Sequence, residues 1–134
     1  MILLLPAVVL VLAGASVHYV TRRIAQDRIG LNSLLGIRTK YTMASEQAWR
    51  AGHQAAQGLL RLLGMVFYVA AAGVFAVLVL DQFSVLDLSE DARDLTVGLW
   101  VVACCIVAVI VVLCAARAAN AAARPFVNAK DRAH

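Results

Sequence analysis

Charge is scarce in this sequence. Charged residues make up 15% of its 134 residues, against about 25% in a soluble domain. Three long runs, 2–20, 62–80 and 95–116, contain no Asp, Glu, Lys or Arg. With 63% hydrophobic residues and a mean hydropathy of +0.83, the chain is too apolar for an ordinary soluble globule. Ionisable groups inside the runs are what an ion pump or proton relay would need, so their absence argues against both. The apolar/polar alternation of a membrane barrel is missing too. Cysteine is confined to Cys104, Cys105 and Cys114, all in the third run. Adjacent cysteines bridge only under strain, and Cys104 and Cys114 would lie about 15 Å apart along one helix. No zinc-type spacing exists, and the three read as small apolar filler. No internal repeat and no separate soluble domain is visible. No nucleophile stands at a recognisable spacing from a base. Enzyme activity, a cofactor, a metal site and nucleic-acid binding are therefore not expected.

The three apolar runs are each close to the roughly 20 residues that a helix needs to cross a bilayer. Helices are the natural choice, because lipid offers no partner to exposed backbone groups. The expected fold is an all-α membrane protein, one domain over 1–134, with spans at 2–20, 62–80 and 95–116. The first run could be a signal peptide, and Ala13 to Ser16 loosely resemble a cleavage site. It lacks a basic n-region, however, and Arg22 and Arg23 follow it, which suits a retained anchor with its N-terminus outside.

Charge orients the spans. Segment 21–61 carries Arg22, Arg23, Arg28, Arg38, Lys40, Arg50 and Arg61 against Asp27 and Glu46. Loop 81–94 carries Asp81, Asp87, Glu90, Asp91 and Asp94 against Arg93, and tail 117–134 is basic again. By the positive-inside rule, 21–61 and the tail face the cytoplasm, while the N-terminus and the acidic loop face outward. Ser89 is placed to cap the third helix. Pro125 is expected to end that helix at Arg124, leaving the last residues frayed.

Polar detail is concentrated in "NSLLGIRTKYTMASEQAW", Asn32 to Trp49. Asn32 to Tyr41 has weak helical periodicity and reads as a structured turn or a short interfacial piece. Ser45 is a good N-cap, with Glu46 and Gln47 in the first turn. From there to Arg61 the pattern is amphipathic. One stripe is Glu46, Arg50, His53, Gln57 and Arg61; the other is Trp49, Gly52, Ala56, Leu59 and Leu63. This predicts a helix at the membrane surface with Trp49 in the interface, bending into the second span or running on into it. The small residues Ala70, Ala71, Ala72, Gly73 and Ala76 permit close helix contact in that span.

The residues Asn32, Gly36, Ile37, Arg38, Thr39, Thr42, Ser45, Glu46, Trp49 and His53 form a pattern that resembles the SdpI family of small bacterial integral membrane proteins. The family shows a similar "N-x-x-x-G-I-R-T…T-x-x-S-E-x-x-W…H" segment between membrane helices. About 30 residues match well, and the flanking spans match as hydrophobic helices. The family's best-known member is a longer immunity protein against a secreted, membrane-active peptide toxin. The resemblance implies a protein of the bacterial inner membrane with a role in toxin immunity or tolerance. A small accessory subunit, packing against a larger membrane complex, is the second expectation.

The residues themselves allow two uses. Gly36 permits a backbone turn that a side chain would block. Arg38 can fork onto a phosphate or carboxylate, and Lys40 adds a point charge. Thr39, Thr42 and Ser45 offer hydroxyls, and a helix N-terminus favours an anion. Together they could clamp a lipid phosphate or an anionic group on a partner. Alternatively, Arg38 pairs with Glu46 and Trp49 packs over the turn, shaping the protein without binding anything. His53 and His18 stand without a Cys or Asp partner and read as structural or interfacial.

Overall fold

The computed structural model describes residues 4–26, 28, 36–86 and 88–131. These residues form three helices: α1 (Leu4–Ala25), α2 (Glu46–Gln82) and α3 (Glu90–Asp131). Each is long and apolar enough to cross a membrane, and no strand occurs among the described residues. At 1.5 Å per residue, α1 is about 33 Å long, close to the roughly 30 Å of a bilayer's hydrocarbon core. The 37 residues of α2 give about 55 Å. The second apolar run therefore fills only part of α2. The amphipathic stretch before it continues into the span as one unbroken helix.

α2 is the centre of the bundle. Both α1 and α3 pack against it, and among the described residues they do not pack against each other. Small residues set the spacing. A Cβ on Gly64 would fall 2.1 Å from His18 Nδ1, so the His18 ring can lie on α2 only where that side chain is missing. His18 also meets Tyr68, with ring centroids 5.5 Å apart. It is thus part of the α1–α2 contact. On the other side, Ala108, Val111, Ala115, Ala119 and Ala123 are buried along one face of α3. Ala70 and Ala71 are buried in α2, where Trp100 Nε1 donates to the Ala70 carbonyl at 3.1 Å. Leu99, Val102, Ile106, Val109 and Ile110 stay exposed, as lipid-facing residues would.

At the acidic end, Arg93 reaches back to Asp81 at 3.1 Å and closes the turn between α2 and α3. Ser89 Oγ accepts from the Ala92 amide at 3.3 Å, which is the expected cap. The other end of α3 departs from expectation, since the helix passes through Pro125 and continues to Asp131. Proline disfavours helix at the residue before it without forbidding it. Here Ala119 and Ala123 are fully buried and Arg124 lies over the Tyr41 ring, so packing holds the helix up to the weak point.

Candidate functional site

The polar segment folds into a compact knot on the ends of α2 and α3. Ser45 is extended (φ −161°), and its Oγ accepts from the Ala48 amide at 3.1 Å, which starts α2. The chain reaches this cap through turns in which Met43 N donates to Thr39 O and Ala44 N to Tyr41 O. Upstream, Gly36 has φ +98°, a conformation that L side chains rarely adopt. A Cβ there would also meet His53 Nε2 at 2.4 Å and the Trp49 ring at 2.8 Å. The segment's backbone therefore rests directly on these two rings.

Thr42 is the hub. It is fully buried, and its Oγ1 donates to Ile37 O at 2.8 Å and accepts from Thr39 N at 2.9 Å. Its methyl group sits over Gly52, where an added Cβ would come within 2.8 Å of Thr42 Cγ2 and 3.1 Å of the Ala119 carbonyl. The Thr39 hydroxyl reaches across to Asn120 Oδ1 on α3. The Arg124 guanidinium lies 5.1 Å from the centroid of the Tyr41 ring, within the range of a cation–π contact.

His53 completes the knot from below. Its Nε2 lies 2.8 Å from the Ile37 amide, and its Nδ1 lies 2.9 Å from the Trp49 carbonyl. An amide only donates and a carbonyl only accepts. Nε2 must therefore be unprotonated, and Nδ1 carries the proton. The ring is neutral in this arrangement. Burial pushes its pKa below the ordinary histidine value, and the bond to the Trp49 carbonyl opposes that shift. Trp49 stacks on His53 with centroids 3.9 Å apart and is only 1% exposed. Burial beneath the turn replaces the expected place for Trp49 at the membrane interface, because Gly36 leaves room for the indole.

The structure thus brings together Gly36, Thr39, Thr42, Ser45, Trp49 and His53. Arg38, Lys40 and Glu46 stay exposed around them. Glu46 lies 3.7 Å from Arg50 Nε, and among the described residues no ion pair joins it to Arg38. The expectation for Asn32 falls outside the described residues. Two contributors from α3, Asn120 and Arg124, were not expected. Asn120 had a signal: it is the one amide in the alanine-rich run "AARAANAAARP", beside the buried face of Ala115, Ala119 and Ala123.

The hydroxyls of Thr39, Thr42 and Ser45 are engaged with each other, with backbone and with Asn120, and His53 has both nitrogens engaged. Among the described residues no cluster of His, Cys, Asp or Glu could hold a metal ion. Arg38 and Lys40 remain available among the described side chains, held on a segment whose neighbours are locked.

Comparison with known proteins places this architecture. The family model for the SdpI/YfhL protein family matches residues 28–115, about two thirds of the chain. The match takes in the knot and α2 and stops short of Asn120 and Arg124. No curated protein and no solved structure matches the chain.

Proposed function

The chain belongs to the SdpI/YfhL protein family, and from that premise we propose that it gives a bacterial cell tolerance of a membrane-active peptide toxin. In this proposal it lies in the inner membrane with its N-terminus outside and its C-terminus in the cytoplasm. The charge of segments 21–61, 81–94 and 117–134 supports that orientation. The working face is segment 36–46, and Arg38 is its principal contact. One observation carries this choice: Thr39, Thr42 and His53 are all committed to internal hydrogen bonds, while the Arg38 side chain has no partner among the described residues. A guanidinium presents a planar fork that matches a carboxylate or phosphate. A segment fixed at several points holds such a fork at little entropic cost. The role is one of binding and needs no catalysis.

Deleting the gene tests the proposal. Cells lacking it should become more sensitive to the toxin and regain tolerance when the wild-type protein is restored. An accessory subunit of a larger membrane complex would behave otherwise: the deletion would leave sensitivity unchanged and dissolve a co-purifying assembly.

A further inference from the structure

Because the described parts of α1 and α3 pack on α2 and not on each other, a cleft of about 510 Å³ is left between them. Its walls are apolar: Val17 and Val20 from α1, Leu60 and Leu63 from α2, Val112 from α3. Gly36 to Thr39 complete the lining, and the Arg38 side chain among them is exposed, where the cleft opens outward. The other polar side chains on the cleft are Ser16, Thr21 and Thr39. Ser16 donates to the Leu12 carbonyl at 2.8 Å and Thr21 to the Val17 carbonyl at 2.7 Å. Thr39 is bound to Asn120 and Thr42. Of the described side chains lining the cleft, only Arg38 can still offer hydrogen bonds.

We propose that this cleft is a phospholipid site, with one acyl chain lying between α1 and α3 and the lipid phosphate on the Arg38 guanidinium. Size and chemistry favour this occupant. A helix is about 10–12 Å across with its side chains, so about 510 Å³ would hold little more than one turn of a peptide helix. A single hydrocarbon chain is slender enough to enter. It asks nothing of walls whose hydroxyls are already satisfied. The one unmet charge is positive, and it stands at the mouth of the cleft, where a lipid carries its phosphate. A forked bond to phosphate is the contact a guanidinium makes best. The inference shares Arg38 with the tolerance role but does not depend on the toxin.

The test uses the full chain in phosphatidylcholine nanodiscs doped with phosphatidylglycerol that carries a diazirine on one acyl chain. After irradiation, labelled residues are mapped by mass spectrometry. Labelling should concentrate on Val17 to Ile24, Leu60 to Leu63 and Val112 to Ala116, above the level at the outward-facing Ile106 and Ile110. Arg38→Gln should lower cleft labelling about tenfold, as expected for loss of a charge-assisted hydrogen bond, and leave Ile106 and Ile110 unchanged. Ala116→Phe, which fills the cleft and keeps Arg38, should lower it as well. Even labelling of cleft and outer face in the wild type, or no effect of either variant, would overturn the proposal. The readout is lipid contact, so a failure here leaves the tolerance test undecided and separate.

Discussion

The Ile37 amide donates to His53 Nε2 at 2.8 Å, across sixteen positions of sequence. This bond joins the polar segment to α2, and it exists only while that nitrogen carries no proton. Protonation would set N–H against N–H.

Docking of the segment should therefore depend on pH. The folded-state pKa of His53 is lowered, chiefly by burial. A released segment would leave His53 near the ordinary value of about 6.5. As pH falls through that value towards the lowered one, the released state takes up a proton that the docked state refuses. Stability is full above the window and is lost through it. Hydrogen exchange should show the Ile37 and Thr39 amides protected at pH 8 and losing protection as the pH falls below about 6.5, after correction for intrinsic rates. His53→Gln offers an acceptor that does not titrate, and it should remove the pH step. A flat wild-type profile would contradict the neutral-ring assignment.

Thr42→Val keeps the shape and removes the hydroxyl. The Thr39 amide and the Ile37 carbonyl then lose a buried partner, at a cost of about 1–3 kcal/mol. The melting temperature in detergent should fall clearly for Thr42→Val and much less for Thr42→Ser, which keeps the oxygen. Equal effects of the two variants would mean that the methyl group on Gly52, and not the hydrogen bonds, holds the turn.

Two glycines should respond in opposite directions. Gly36→Ala meets a left-handed backbone and two aromatic rings, and it should destabilise the protein. Gly58, inside α2, has nothing within 4 Å of an added Cβ, so Gly58→Ala should stabilise by up to about 1 kcal/mol through helix propensity alone. Thermal melts of the two variants provide the comparison.

The helices were legible in the sequence because lipid imposes length and apolarity on every span. The Ser45 and Ser89 caps were legible because the cap is a local event, fixed by the residue and its next three neighbours. The course of α3 through Pro125 was not. Local propensity argues for a stop there, and only contacts with a segment some eighty residues earlier hold the helix. The knot was half visible. Its residues drew notice as a polar cluster, but amphipathic spacing placed Trp49 at the surface. The turn at Gly36, which buries the indole, is a tertiary event that no helical period records. Asn120 stood out in its alanine-rich run, but its role was not legible, since its partner Thr39 lies in a distant part of the chain.

The proposed orientation rests on charge and can be checked by labelling. In a background with Cys104, Cys105 and Cys114 replaced by alanine, a cysteine at exposed Gln82 should react with an impermeant maleimide on intact cells. A cysteine at exposed Lys40 should react only after permeabilisation. The reverse pattern would invert the topology and place the knot outside.

The central claim is that the knot exists to present Arg38, and Arg38→Lys tests it most directly. The substitution keeps the positive charge and removes the fork. The variant should insert and accumulate like the wild type, with the Ile37 amide still protected, yet fail to restore toxin tolerance to the deletion strain. Full tolerance at wild-type expression would show that a point charge suffices, and segment 36–46 would then be a topology signal with a well-built turn.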